Sequence, residues 1–141
     1  MKIIGKKEAM TQVFDDAGVV HPVTIVLAEP NELAVGDQIM VSGLSKGKGF
    51  QGVVKRHGFH GGSRTHGQKH SEREPGAIGG GGGRAGGRVA KGIRMAGRMG
   101  GDRVTVRNLK VVAIDKEVGQ ILVSGAVPGR RGTRLEIKSA K

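Results

Sequence analysis

Short apolar runs separated by turn residues fill the first third of the chain and predict β-strands. The pattern predicts strands at Thr11–Phe14, at Val19–Ala28 and at Gln38–Val41. Asp15–Gly18, with the sequence DDAG, lies between the first two strands and is typical of a hairpin turn. Pro22 inside the second strand indicates a sheet edge or a bulge, because proline has no backbone N–H to donate.

The same pattern returns in the last third. It predicts four more strands, at Val104–Val106, Leu109–Asp115, Gln120–Ser124 and Leu135–Lys138. Further turns are predicted at 29–32 and 116–119, with a corner at 33–37. Many short strands separated by turns are typical of a small β-barrel, so the fold class is predicted to be mostly β. No helix of ordinary length is predicted, although 89–99 could hold a short one interrupted by glycine.

Residues 46–103 differ from both flanks, with neither strand alternation nor a long apolar helical stripe. They contain 13 of the 24 Lys and Arg residues, 19 of the 27 glycines and four of the five histidines, against three acidic residues. Such a segment cannot bury enough apolar surface to offset the entropy of ordering, so alone it should be a mobile arm. We therefore predict a barrel formed by 1–45 and 104–141, with 46–103 inserted between strands as a largely irregular extension.

Charge is distributed unevenly along the chain and points to a polyanionic partner. The formal net charge is +12 overall, with −3 in residues 1–45, +10 in 46–103 and +5 in 104–141. Nucleic acid is the usual polyanion for such a chain. A membrane surface would require a basic amphipathic helix, which the glycines of the extension disfavour. Because the chain has three Phe and neither Trp nor Tyr, contacts to phosphates are favoured over base stacking.

The candidate RNA-binding residues are cations and imidazoles of the extension, together with two arginines of a predicted basic loop at 128–132. They are Lys46, Lys48, Lys55, Arg56, His57, His60, Arg64, His66, Lys69, His70, Arg73, Arg84, Arg88, Lys91, Arg94, Arg98, Arg103, Arg130 and Arg131. Arg and Lys supply charge-assisted hydrogen bonds to phosphate, and imidazoles can hydrogen-bond phosphates, sugars or bases.

Other interpretations of the extension carry less weight. Gly47–Gly52 matches G-x-G-x-x-G, but Gly58, Gly61 and Gly62 should break the helix that a dinucleotide fold needs, and no βαβ alternation follows. The five glycines at 79–83 fit either a flexible linker or a loop threading a crowded space. The four histidines could bind a metal by residue type, but no scaffold or further ligand accompanies them.

Catalysis and secretion find no support in the sequence. Asp15 and Asp16 are adjacent carboxylates in a predicted turn, where solvated acids are the rule, and no serine has an evident Asp/His pair. We therefore expect no enzyme, cofactor or small-molecule substrate. The absence of cysteine, of a signal peptide and of a long apolar run predicts a soluble, intracellular protein.

Three groups of motifs, covering nearly the whole chain, resemble the L-three family of large-subunit ribosomal proteins, bacterial type. They are KKEAMTQVF at 6–14 with DDAG and HPVT after it; SKGKGFQGVVKR at 45–56, THG at 65–67 and EPGAIG at 74–79; and KGIRMAGRMG at 91–100, RVTV at 103–106 and GAVPG at 125–129. These signatures are long and specific.

The resemblance implies a barrel of the translation-factor type and an extension that runs through large-subunit rRNA towards the peptidyl transferase centre. It implies a structural constituent of the cytoplasmic ribosome that supports subunit assembly beside neighbouring ribosomal proteins. The matching RNA contacts are Lys46, Lys48, Lys55, Arg56, His66, Arg94 and Arg98, with the tip near 78–88. A general nucleic-acid binder without rRNA preference is the alternative function.

The chain departs from the family pattern in three places. Ala9 stands where glycine is usual, and 29–33 bridge a position where the family carries a sizeable segment. Gly80–Gly83 replace polar residues of the tip, including a glutamine that can be methylated. Contacts made by the absent segment are therefore not expected in this chain.

Overall fold

The computed structural model describes residues 2–28, 33–79 and 87–139. The chain divides into two compact units, one formed by Met1–Lys46 with Gly101–Lys141 and the other by Gly47–Gly100. The turn predicted at 29–32 and the glycines at 80–83 lie outside the described residues.

The first unit is a closed antiparallel barrel, so the prediction of a mostly β, barrel-like fold is confirmed. Around the barrel the strand order is β1-β2-β7-β6-β3-β8, and β4 pairs with β5 in the second unit. The elements are β1 (Lys2–Phe14), β2 (Val20–Leu27), β3 (Gln38–Leu44), β4 (Phe50–Gln51), α1 (Val53–His57), β5 (Gly97–Arg98), β6 (Arg103–Asp115), β7 (Gln120–Ser124) and β8 (Arg134–Ser139).

The barrel interior is filled by aliphatic, mostly β-branched side chains at every second strand position. Ile121 and Val123 point inwards from β7, and Leu135 and Ile137 from β8, all with at most 1% of their surface exposed. Val26, Ile39, Val41 and Val111 complete the fully buried cluster. Each such side chain contributes about 1.5–3 kcal/mol relative to full exposure, so the period-two pattern accounts for most of the core.

The predicted turn between β1 and β2 is present and is organised by Asp15. Its Oδ1 accepts hydrogen bonds from the backbone N–H groups of Ala17 (3.0 Å) and Val19 (2.7 Å). The backbone N–H of Gly18 donates to the Asp15 carbonyl at 2.9 Å, and Gly18 adopts φ +78°. The Val19 hydrogen bond, assisted by His21, lowers the pKa of the Asp15 carboxyl. Asp15 therefore has a structural role in the hairpin.

Strands β1, β3 and β6 are longer than predicted: β3 continues from Val41 to Leu44, and bulges interrupt the alternation of β1 and β6. The strands predicted at 104–106 and 109–115 form the single strand β6, in which Arg107 and Asn108 lie opposite Met40 and Asn108 adopts φ +58°. The extra residue of the bulge changes which alternate positions of β6 face the barrel interior. In the sequence, the alternation of apolar and polar residues is therefore interrupted at this point. Strand β1 has its own irregularity at 7–9. Of the two alternatives predicted for Pro22, an edge or a bulge, the edge fits: Pro22 pairs in register with Gln12 of β1, and the ladder between β2 and β7 begins only at Val23.

The predicted corner before β3 is confirmed, with Gly36 at φ +93°. The Asp37 side chain accepts a hydrogen bond from the backbone N–H of Ala34 at 2.9 Å, and the Asp37 N–H donates to the Ala34 carbonyl at 3.2 Å. This reciprocal pair turns the chain directly into β3.

The described residues of the second unit contain one short helix, and it does not lie where the sequence allowed one. No helix occurs in 89–99, whereas α1 spans Val53–His57 and begins directly after Gly52. The prediction that Gly58 would break a helix beginning at Gly52 is confirmed, since only five residues are helical before it. Gly58 ends the helix in the left-handed conformation (φ 74°), and its N–H caps the Val54 carbonyl. Outside α1, β4 and β5, the described residues of this unit form turns and irregular backbone.

Strands β3 and β6 are neighbours, and their ladder marks the base of the extension. Leu44 pairs with Arg103, and Gly43 with Val104. Beyond them, the Ser45 N–H donates to the Asp102 carbonyl at 2.8 Å, and the Asp102 N–H donates to Ser45 Oγ at 3.2 Å. The extension therefore begins after Ser45 and ends before Asp102, and these two residues are hydrogen-bonded to each other.

Gly5→Ala should destabilise the barrel by about 1–3 kcal/mol, because the site is already fully packed. A Cβ at Gly5 would lie 2.6 Å from Val26 Cγ1 and 3.0 Å from the Leu27 carbonyl oxygen. The free energy of unfolding from urea titration measures the effect. Gly47→Ala is the matched control, since a Cβ there meets no heavy atom within 4 Å. Equal stability of the two variants would contradict the packing described here.

Candidate nucleic-acid interface

The second unit presents a dense set of exposed cations. Nine of its ten described Lys and Arg side chains are exposed, and Arg56 is half-buried. The exposed ones are Lys48, Lys55, Arg64, Lys69, Arg73, Arg88, Lys91, Arg94 and Arg98, and His60, His66 and His70 are exposed as well. Arg84 lies outside the described residues. The unit therefore offers a basic surface without large acidic counter-charge.

The last turn of α1 divides the predicted RNA-binding residues by role. Arg56 Nη1 donates to the Met95 carbonyl at 2.8 Å, and His57 Nε2 approaches the same oxygen at 3.0 Å. A carbonyl oxygen only accepts, so Nε2 must carry the proton in this hydrogen bond. Arg56 and His57 therefore hold α1 against the segment before β5, while Lys55 remains exposed. A side chain at Gly97 would collide with the Arg56 guanidinium.

A loop at 61–72 carries four of the predicted cations and imidazoles on a closed backbone. The Gly62 N–H donates to the carbonyls of Ser71 (2.9 Å) and Glu72 (3.2 Å). A Cβ at Gly61 would overlap the Glu72 carbonyl oxygen, so glycine is required there. Arg64 Nη2 forms an ion pair with Glu72 at 2.5 Å, which lowers the pKa of that carboxyl. Arg64 is thus partly neutralised, while its loop neighbours His66, Lys69 and His70 stay exposed.

The four predicted cations of the first unit fall into two groups. Lys46 and Arg103 lie at the base of the extension, and Arg130 and Arg131 lie in the loop before β8. Arg103 Nη2 contacts Glu136 Oε2 at 2.5 Å, and Lys2 Nζ contacts the same oxygen at 3.1 Å. Hydrogen bonds from Arg103 and then from Lys2 lower the pKa of Glu136 to about 2. Arg103 is therefore a member of a surface ion network as well as a candidate contact.

Sequence analysis missed Lys7, which anchors the loop carrying Arg130 and Arg131. Lys7 is 8% exposed, and its Nζ donates to the carbonyls of Val127 (2.9 Å) and Gly129 (3.1 Å). Burial, with a smaller contribution from the Lys46 charge, lowers the pKa of Lys7. Strand periodicity could have identified Lys7 as an inward-facing residue, because it lies two residues after the buried Gly5 on the same face of β1.

The aromatic residues of the extension were given no role by the sequence. Phe50 in β4 is 73% exposed. Phe59 is half-buried, and its ring lies 5.9 Å from the His57 ring at an interplanar angle of 43°. In the sequence, the only hint that Phe50 and Phe59 have a role was their position within the basic residues 46–103.

The described part of the chain also bears on two alternatives, metal binding and membrane insertion. Within it, no three His, Cys, Asp or Glu side chains gather as a metal-binding group, and the four histidines of the extension are not brought together. No helix among these same residues is long and apolar enough to cross a membrane.

The geometry defines a class of protein: a small closed β-barrel with a basic, glycine-rich extension inserted between two neighbouring strands. Comparison with known families gives a match to the model of Ribosomal protein L3 over residues 30–121. The chain belongs to the ribosomal protein L3 family, which confirms the resemblance found in the sequence.

Curated relatives carry the name large ribosomal subunit protein uL3. The protein of Herpetosiphon aurantiacus is 57% identical over 106 residues, covering 75% of this chain and 49% of the relative. That of Chlorobium limicola is 52% identical over 106 residues, covering 75% and 50%. That of Leifsonia xyli subsp. xyli is 46% identical over 142 residues, covering 90% and 64%. The chain thus spans about half the length of the first two relatives.

Glu136→Gln should remove a pH-dependent part of barrel stability. The folded pKa of about 2 lies below the ordinary value of 4.5, so the ion network stabilises the fold above about pH 4.5. This contribution is lost as the pH falls towards 2. We expect wild type to melt at a higher temperature than the variant at pH 6, and the two melting temperatures to converge at about pH 2.

The matched control is Glu117→Gln, which changes an exposed carboxylate in the turn between β6 and β7. Raising the salt concentration to about 1 M should shrink the difference between wild type and Glu136→Gln at pH 6, because exposed charges are screened. A difference that stays constant from pH 6 to pH 2 would contradict the assignment.

Proposed function

We propose that this chain is a structural constituent of the large ribosomal subunit that binds large-subunit rRNA. The observation that carries the proposal is the exposed basic surface of residues 47–100 in a member of the ribosomal protein L3 family. The curated relatives are named as proteins of the large subunit, which supports the same role for this chain.

The extension binds rRNA mainly through phosphate contacts. Exposed Lys and Arg side chains neutralise phosphates and release counterions, while glycines let the backbone pass close to RNA. Lys48, Lys55, Arg94 and Arg98 are the proposed direct contacts, since all four are exposed. Arg56 and His57 contribute by holding the local fold.

The barrel is the mount for the extension and adds a second, smaller contact. Arg130 and Arg131 are exposed in a loop that the buried Lys7 holds in place. Preorganised arginines lose less entropy when they bind phosphate than arginines on a mobile loop do. Lys46 and Arg103, which are exposed at the base of the extension, are two further candidate phosphate contacts.

The remaining parts of the proposal follow from family membership. The protein acts in the cytoplasmic ribosome beside neighbouring large-subunit proteins, supports subunit assembly and catalyses no reaction itself. Its extension reaches towards the peptidyl transferase centre. It uses no cofactor and no small-molecule substrate.

A salt titration of binding to a large-subunit rRNA fragment tests the function. Arg94→Ala with Arg98→Ala should weaken binding and flatten the log–log salt slope by about 0.7–0.9 for each phosphate that is no longer neutralised. Lys110→Ala with Lys116→Ala is the matched control, since these exposed lysines lie on the barrel. An unchanged slope in the arginine variant would rule out these two phosphate contacts.

Duplex DNA of equal length separates the proposal from its alternative. Clear preference for the rRNA fragment supports a ribosomal protein. Equal affinity for both nucleic acids would instead support a general nucleic-acid-binding protein.

Replacing residues 46–103 with a short Gly-Ser loop should leave a folded barrel and abolish most rRNA binding. The reason is that Gly43 and Val104, which are paired across β3 and β6, are both retained, so a short loop spans the gap. Circular dichroism and cooperative thermal unfolding measure the fold. Loss of the β signal would contradict the proposed division into a mount and a binding extension.

A further inference from the structure

The second unit contains a concave pocket whose lining, apart from Arg94, lies outside the proposed direct phosphate contacts. Its volume is about 520 Å³, within the usual range for small-ligand sites. Three separate segments form its walls: 57–62, residues between 68 and 76, and Arg94. A surface made only to follow a phosphate backbone needs no such cavity.

The pocket walls are held in place by contacts within the unit. His57 is fixed by its hydrogen bond to the Met95 carbonyl, and Gly58 turns the chain from α1 into the pocket wall. The opposite wall is joined to the first through the Gly62 N–H and the carbonyls of Ser71 and Glu72. The two walls therefore cannot separate without breaking these hydrogen bonds. They approach so closely at Gly61 and Glu72 that no side chain fits at position 61.

The chemistry of the lining combines a flat apolar face with an acceptor and a cation. Phe59 and His57 supply tilted aromatic rings, with centroids 5.9 Å apart. Arg94 supplies a planar guanidinium, and Glu74 a carboxylate; both are exposed. Aromatic rings and arginine planes are the usual stacking surfaces for splayed-out RNA bases.

A carboxylate in a basic extension is informative because it repels phosphate. Residues 47–100 contain only two acidic residues, and one of them, Glu72, is paired with Arg64. Among the described residues, the other, Glu74, forms no ion pair. Its useful chemistry towards RNA is to accept hydrogen bonds from a base amino group.

We infer that this pocket binds one unstacked RNA base bearing an exocyclic amino group. The base stacks on Phe59, and its amino group donates to the Glu74 carboxylate. Uracil lacks such a donor and is disfavoured. This inference rests on the proposed function, because the ligand is a base of the RNA that the extension follows.

The test uses the full chain and two single-stranded oligoribonucleotides, oligo(U) and the same oligomer with one central 2-aminopurine. The labelled oligomer should bind more tightly, and its fluorescence should be quenched on binding. Phe59→Leu should lower the affinity for the labelled oligomer about tenfold and abolish the quench, without changing the salt slope. Phe14→Leu, at an exposed barrel position, is the matched control.

A second variant keeps the inference falsifiable if Phe59→Leu fails to fold. Glu74→Ala removes the proposed hydrogen-bond acceptor at an exposed position and should erase the preference for 2-aminopurine over oligo(U), whereas the barrel variant Glu117→Ala should retain it. Equal binding and equal quench in wild type, Phe59→Leu and Glu74→Ala would overturn the pocket assignment. Failure of the proposed function has a different signature, which is equal affinity of the wild type for rRNA and duplex DNA.

Discussion

The structure depends on the pairing of β3 with β6, two strands that lie far apart in sequence. Leu44 opposite Arg103, with Ser45 hydrogen-bonded to Asp102, closes the barrel and fixes both ends of the extension. An insertion of this length adds little further closure entropy, because that cost rises only with the logarithm of loop length. The barrel can therefore carry a long, nearly coreless segment while its own core stays intact.

The extension has no comparable core, because its cations repel one another and its apolar content is small. Local contacts hold its backbone instead. They are the hydrogen bonds of Arg56 and His57 to the Met95 carbonyl, the hydrogen bonds of Gly62 to Ser71 and Glu72, and the Arg64–Glu72 ion pair. Each is weak on its own, and exposed ion pairs contribute little. Together these contacts fix the conformation of the backbone. A bound polyanion therefore neutralises the positive charge of the extension and does not have to impose its conformation.

The sequence predicted the barrel well, because period-two alternation directly reports which side chains face a closed interior. It failed where geometry departs from that period: the Asn108 bulge divided β6 in two, and the irregularity at 7–9 hid the first half of β1. It also allowed a short helix at 89–99, where none forms, and it did not predict α1 at Val53–His57. Helix propensity could not foresee this, since α1 is held by tertiary hydrogen bonds to Met95.

For the candidate interface, charge identified the region but could not assign roles within it. Composition treats Arg56, Arg64 and Arg103 like Lys55 or Arg98, yet the first three are engaged with a carbonyl or a carboxylate. Composition also cannot show which cations are buried. Lys7 counts as a positive charge like any other lysine, yet it is buried and holds the loop before β8 through two hydrogen bonds. Glycine is the most ambiguous residue type: Gly61 and Gly62 fit a flexible linker by composition. In the fold they permit the backbone crossing that shapes one wall of the cavity in the extension.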